Sequence, residues 1–256
     1  MSAPSAPILY GQRVTKTFGA LRALWEVDFE VKKGEILGII GPNGAGKTTL
    51  LSLINGTLSL TRGEIFFKGG KISSLKPYRI AELGISRTFQ IVKPFPRMTA
   101  LENVAIGALF GKDKMWNARQ AQDRTRHILA RVGLAGKDDL YVEKLNVSER
   151  KRLELARAIA MDPDLLLLDE VMAGLNASEM NHIMDLVLEL NGEGRTIVVI
   201  EHVMKAIMAI SQRILVLHHG QKVAEGRPAE IINDERVIVA YLGRRYSKAR
   251  RENARD

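Results

Sequence analysis

The stretch GEILGIIGPNGAGKTTLLSLING, residues 34–56, decides the reading of this chain. Glu35–Ile40 is a short apolar run of the kind that forms a buried strand. Gly41-Pro42-Asn43-Gly44-Ala45-Gly46-Lys47-Thr48 then follows the pattern G-x-x-x-x-G-K-[ST]. Leu50, Leu51, Leu53 and Ile54 continue at helical spacing to a stop signal at Gly56. Strand, glycine loop and helix is the context this motif requires. Glycines let the backbone wrap an anion with several N–H groups pointing inward, and a helix starting near Lys47 adds its positive N-terminal end. Lys47 supplies a full charge for the outer phosphates of a nucleotide, and Thr48 offers a hydroxyl to magnesium. A glycine-rich turn that merely starts a helix is the plainer reading, but motif and flanks together favour nucleotide binding. Its candidate contacts are Gly41, Pro42, Asn43, Gly44, Ala45, Gly46, Lys47, Thr48 and Thr49.

Working outward, the whole chain is compatible with one compound α/β domain of 256 residues. Its 46% hydrophobic and 26% charged residues are ordinary for a soluble globular protein and exclude disorder throughout. With no cysteine, disulfides and thiol chemistry are excluded. The start, MSAPSAPILYGQRV, lacks a basic segment followed by an apolar one, so no secretory signal is expected. The apolar runs ILGII, LLLL and IVVI fall far short of the ~18 residues that suggest a membrane span, and a cytoplasmic location is expected. The net charge of +9 is partly concentrated in RRYSKARRENARD, residues 244–256. That tail reads as a solvated end in preference to a lipid or nucleic-acid contact, and no basic patch interleaved with aromatics argues for nucleic acid.

Before the phosphate loop, RVTKTFGALRALWEVDFEVKKGEILGII reads as strands broken at Gly19 and Gly34, and after it GEIFFKGGKI reads as a strand pair with a Gly-Gly turn. From about Pro77 to Ala160, YRIAELGI, TALENVAIGALF and WNARQAQDRTRHILARVGL are helical patterns. Strands return in LLLLDE, TIVVIEH and RILVLHHGQKVAEG, with an amphipathic helix in ASEMNHIMDLVLELNGEG. Strands alternating with helices predict a mostly parallel sheet. Leu165–Leu168 call for burial on both faces, as an interior parallel strand provides. Ligands of open α/β sheets sit at the carboxyl ends of strands, which places Asp169 and Glu170 beside the phosphate loop. Adjacent acids there can divide the labour, one near magnesium and one orienting water. His202, after TIVVIE, falls at the same edge within reach of a γ-phosphate; His127, His182, His218 and His219 take a bland reading.

In this order, these pieces resemble the ATP-binding subunit of ABC transporters over almost the entire chain. The resemblance includes RTFQ with Gln90, RKRLELARAIA, LLLLDE, AGLN and IEH. GISRTFQIVKPFPRMTALENVAIG and LLLLDEVMAGLN look most like the subunits of branched-chain amino acid importers. The resemblance implies a P-loop NTPase core with a mostly parallel sheet, an N-terminal antiparallel β subdomain and an inserted helical subdomain. The expected layout is one ABC domain over 1–256: core with β subdomain in 1–89 and 160–225, helical subdomain in 90–159, and C-terminal helix and basic tail in 226–256.

Residue by residue, it implies that Phe18 stacks on adenine, with Tyr10 the rival aromatic, either being compatible with a core position. Gln90 would sense magnesium and the attacking water, Asp169 would hold magnesium through water, and Glu170 would be the general base, with His202 at the γ-phosphate. Asn176 replaces an aspartate often found in the loop after that strand, and Val171 stands where proline is usual. In the family, Leu-Ser-Gly-Gly-Gln clamps the ATP of the opposite subunit. Here Leu145 and Glu149 fit, whereas Asn146 replaces serine and Val147 and Ser148 replace the glycines. Asn146 and Glu149 have the spacing of a helix cap, which still presents N–H groups to an anion. Glycine's close approach is lost, and Val147 is the worst fit if that backbone needs a positive φ. A weakened clamp is expected.

The implied activity is ATP hydrolysis with Mg2+, coupled to import of amino acids or similar solutes. The implied partners are transmembrane permease subunits, a second ATP-binding subunit, identical or different, and indirectly a periplasmic solute-binding protein; the chain would be peripheral on the inner face of the membrane. The alternative is a soluble regulatory or DNA-associated ATPase with the same head, though no coiled-coil insertion or tandem head appears. A GTPase is disfavoured because no Asn-Lys-x-Asp motif occurs.

Overall fold

The structure, a computed structural model, describes residues 6–89, 94–112 and 118–242. The elements follow in chain order: β1 (Leu9–Phe18), β2 (Leu21–Val31), β3 (Ile36–Ile40), α1 (Lys47–Ile54), β4 (Arg62–Phe67), β5 (Gly70–Lys71), α2 (Pro77–Glu82) and β6 (Ile85–Arg87). Then come α3 (Ala100–Phe110), α4 (Ala118–Arg131), α5 (Val147–Ala160), β7 (Leu165–Asp169), α6 (Ala177–Gly192), β8 (Thr196–Ile200), α7 (Met204–Ile210), β9 (Arg213–His218), β10 (Gln221–Gly226), α8 (Pro228–Ile231) and α9 (Glu235–Leu242).

Two sheets organise them. The first is antiparallel, in the order β2-β1-β4-β5. The second runs β10-β9-β3-β8-β7-β6, parallel throughout except for the β9–β10 hairpin. Alternation along each strand explains the unbroken apolar runs. In β7, Leu165 and Leu167 face the antiparallel sheet and α1, whereas Leu166 and Leu168 face the core shared with α3 to α7. Every residue of β3, β7 and β8 is buried, as expected of strands covered on both faces.

Helix boundaries follow local chemistry. Thr99 with Glu102, Asn146 with Glu149 and Asn176 with Glu179 each form a reciprocal capping box at the start of α3, α5 and α6. Asn176, in place of the usual aspartate, thus caps a helix. The run YRIAELGI corrects the sequence reading. Only α2 is helical, and Ile85–Arg87 pairs in parallel with Leu165–Leu167 as the edge strand β6. Three residues are too few to show a period of two, so the helical pattern ahead of them masks the strand. The β4–β5 turn also shifts by one residue: Lys68 and Gly69 take positive φ, and Gly70 pairs with Phe67. Among the described residues, no helix is long and apolar enough to cross a membrane.

Candidate functional site

The carboxyl ends of β3, β7 and β8 open onto a cleft of about 690 Å³. It is lined by Asn43–Thr49, by Glu170 and His202, and by Phe18, Leu21, Arg22 and Ala23 at the β1–β2 turn.

The loop gets its shape from three glycines. Gly41, Gly44 and Gly46 have φ of 154°, 76° and 101°, a region unfavourable to side chains. At Gly41 a Cβ would lie 2.1 Å from the Leu217 carbonyl oxygen, and at Gly46 one would lie 2.6 Å from that of Ala23. Gly46 is the N-cap of α1 and offers no side chain to the first turn. The N–H groups of that turn are therefore left for a ligand, and they carry the positive end of the helix. Lys47 is buried and donates from Nζ to the carbonyl oxygens of Gly41 at 2.7 Å and Pro42 at 3.0 Å. Burial pulls its ammonium below the ordinary lysine value, against the nearby charges of Glu170 and Asp169.

Asp169 ends β7 and is buried. Its Oδ2 accepts from Arg87 Nη2 at 2.8 Å, and its backbone N–H donates to Thr88 Oγ1 at 3.0 Å. Arg87 forks: Nη1 donates to Ser52 Oγ at 2.9 Å, and Ser52 in turn donates to the Thr48 carbonyl oxygen at 2.7 Å. The strand before Gln90 is thereby tied to both the phosphate-loop helix and the acid. Asp169 Oδ1 is buried without a hydrogen-bond partner. Burial pushes this carboxyl above the usual aspartate value, with Arg87 the main opposing influence and Thr48 a weaker one.

Glu170 adopts φ 54°, unusual outside glycine. Its N–H donates to the Ile200 carbonyl oxygen at 3.0 Å, and its Oε1 lies 2.6 Å from His202 Nε2. A carboxylate only accepts, so the imidazole is the donor. Glu201, buried behind this pair, accepts from the Met172 N–H through Oε1 at 2.7 Å.

The structure thus brings together Phe18, the phosphate loop, Asp169, Glu170 and His202. Tyr10 is elsewhere, stacked on Phe66 with centroids 4.8 Å apart. Phe18 is 46% exposed at the cleft, with Lys16 Nζ 4.8 Å from its ring centroid. Gln90 and the basic tail lie outside the described residues. Leu145–Glu149 do not line the cleft. Val147 is 75% exposed at the first position of α5 with no positive φ, so the feared backbone strain does not arise. Ser148 Oγ donates to Glu179 Oε1 at 2.6 Å. Arg87, Thr88 and Glu201 carry almost no signal in the sequence. The only hint was position: Arg87 and Thr88 stand inside RTFQ, and Glu201 stands beside His202.

The family described as "ABC transporter" matches residues 24–173. The high-affinity branched-chain amino acid transport ATP-binding protein LivG of Salmonella typhimurium is 38% identical over 252 residues, covering 93% of this chain and 99% of that protein. The chain belongs to the ABC transporter family. As a member of it, this ABC ATP-binding subunit also matches, over residues 221–247, the family described as "Branched-chain amino acid ATP-binding cassette transporter". BraF of Pseudomonas aeruginosa, a high-affinity branched-chain amino acid transport ATP-binding protein, is 36% identical, covering 93% of this chain and 99% of its own. Among solved structures, a nucleotide-free ATP-binding cassette from an ABC transporter superposes with a TM-score of 0.83 at 31% identity, covering 92% of this chain and 99% of that one. An ATP-binding cassette in its ADP conformation gives the same TM-score and identity, covering 93% and 100%. This ABC subunit therefore has the P-loop ATPase head, with its mixed sheet and helical insert, that supports ATP as ligand and ATP hydrolysis as activity.

The donor set fits a magnesium ion shared with a nucleotide. Among the described residues no group of three or more His, Cys, Asp or Glu offers an all-protein cage. Thr48 and the unpartnered Asp169 Oδ1 stand beside the loop instead. That suits an ion that keeps several waters and takes other ligands from phosphates.

Proposed function

We propose that the chain is the ATP-hydrolysing motor subunit of an import system for branched-chain or related amino acids. The observation that carries this reading is the convergence of the phosphate loop, Glu170 and His202 on one cleft, with Asp169 ending the strand immediately before Glu170. Lys47 and the N–H groups at the start of α1 bind the β- and γ-phosphates, and Phe18 stacks on the base. Thr48 and, through water, Asp169 and Gln90 would hold Mg2+, which would supply positive charge against the charge developing on the phosphates. Glu170 accepts the proton of the attacking water, while the His202 N–H donates to Glu170 and orients it, with the imidazole ring within reach of the γ-phosphate.

Two such subunits close over ATP, with Leu145, Asn146, Val147, Ser148 and Glu149 of each facing the partner's nucleotide. The helical subdomain, residues 90–159, passes that closure to a separate permease, with the chain peripheral on the inner membrane face and a periplasmic solute-binding protein delivering the solute. Similarity to LivG and BraF, and the match over residues 221–247, support the choice of solute.

The test is uptake of radiolabelled leucine into proteoliposomes carrying this chain with its co-expressed permease. ATP-dependent uptake that disappears with Glu170→Gln is expected. ATP hydrolysis without uptake of any branched-chain amino acid would remove the assigned solute, and co-sedimentation with DNA in place of membranes would favour a soluble regulatory ATPase.

A further inference from the structure

Glu170 holds a backbone conformation that an ordinary side chain disfavours, with φ 54°. Something must impose it. The chain leaving β7 is fastened to three consecutive residues at the end of β8. The Glu170 N–H donates to the Ile200 carbonyl oxygen at 3.0 Å, the Met172 N–H donates to Glu201 Oε1 at 2.7 Å, and His202 Nε2 lies 2.6 Å from Glu170 Oε1. Glu201 is the middle fastening and the one made by a side chain to the backbone. It is only 2% exposed, and its Oε2 is buried without a hydrogen-bond partner. A carboxyl kept there costs free energy that an apolar residue at the end of β8 would avoid, so its presence calls for a reason. The five residues of β8 before it are all buried, four of them aliphatic.

We propose that Glu201 is a positioning residue for hydrolysis: by accepting the Met172 N–H it holds the chain after Glu170 in place and so keeps the Glu170 carboxylate at His202. The inference rests on Glu170 acting as the base. Lys151 of α5 donates to the Ala173 carbonyl oxygen, so residues 170–173 are held between two elements, and of these two side-chain holds on the backbone Glu201, at Met172, is the nearer to Glu170.

The test compares Glu201→Leu and Glu201→Gln with the wild-type full chain, reading kcat and KM for Mg-ATP and exchange of the Met172 amide hydrogen. Glutamine offers an oxygen to the same N–H, whereas leucine does not. Glu201→Leu is expected to lower kcat at least ~10-fold with KM within about twofold, and Glu201→Gln to return kcat to within about threefold. Met172 exchange should accelerate in the leucine variant alone. Wild-type kcat in Glu201→Leu, or equal damage in both variants, would overturn the proposal. If the wild-type chain binds ATP but never hydrolyses it, the functional reading fails first. In that event unchanged Met172 exchange in Glu201→Leu would still overturn the inference, and faster exchange would sustain the fastening.

Discussion

His202 Nε2 lies 2.6 Å from Glu170 Oε1 across the ends of adjacent strands, in a contact that spans 32 residues of sequence. With the imidazole as donor, Glu170 is oriented and its other chemistry is left for water. Glu170→Gln is therefore expected to keep ATP affinity and lose hydrolysis by a factor of roughly 10²–10⁴, the usual contribution of a general base. His202→Ala should lower kcat more than it raises KM. Single-turnover hydrolysis and equilibrium ATP binding on the same preparations separate the two effects, and a Glu170→Gln chain with normal turnover would remove Glu170 from the role.

Arg87 and Asp169 form a buried ion pair, with side chains 5% and 0% exposed. Removing one member of such a pair leaves an uncompensated buried charge. Arg87→Met should cost roughly 3–5 kcal/mol. Adding Asp169→Asn should recover much of that loss, because no charge is then stranded. Urea unfolding of the two single variants and the double variant measures the coupling directly. Additive losses would show that the pair contributes nothing as a pair.

Burial pushes the Glu201 carboxyl up to about 7, with the charge of Glu170 adding to the effect and the Met172 N–H and Lys151 opposing it. The folded chain thus binds this proton more tightly than the unfolded chain does. Its contribution to stability is complete below the ordinary glutamate value and is lost as pH rises through about 7. Glu201→Gln cannot lose that proton, so its stability relative to wild type should rise by roughly 3 kcal/mol between pH 4 and pH 8. Parallel pH curves from chemical denaturation would contradict this.

At the start of α5, Asn146 and Glu149 close a capping box, Lys137 pairs with Glu149, and Ser148 is spent on Glu179. Asn146→Ala should cost about 1 kcal/mol of stability, as lost caps do. In a Glu170→Gln background, Val147→Gly with Ser148→Gly removes the protruding side chain and the Ser148 bond to Glu179. ATP-dependent dimers seen by light scattering should then form at roughly tenfold lower protein concentration, a gain of about 1.4 kcal/mol. Unchanged or weaker dimers would mean that these residues do not limit the clamp.

Much of this protein is local enough to be written in its sequence. The phosphate loop is a spacing of glycines before Lys47 and Thr48. The leucines at 165–168 announce a strand covered on both faces, and Asn146 with Glu149 announces a helix start. Each of these depends on residues within about one turn or one strand of one another, where periodicity and backbone preference act directly.

What the sequence left open was decided by the order β8-β7-β6. Arg87 meets Asp169 across 82 residues, and Met172 meets Glu201 across 29, because neighbouring parallel strands bring their carboxyl ends together. β6 itself exists only as a partner for β7; three residues have no strand signal of their own. The resemblance sets Phe18 against Tyr10 as the adenine contact with Phe18 preferred, and the antiparallel sheet stacks Tyr10 on Phe66 and turns Phe18 into the cleft. Local pattern determines which face of each strand is buried, but the partner a buried polar group finds depends on which strands become neighbours. That choice belongs to the packed sheet as a whole.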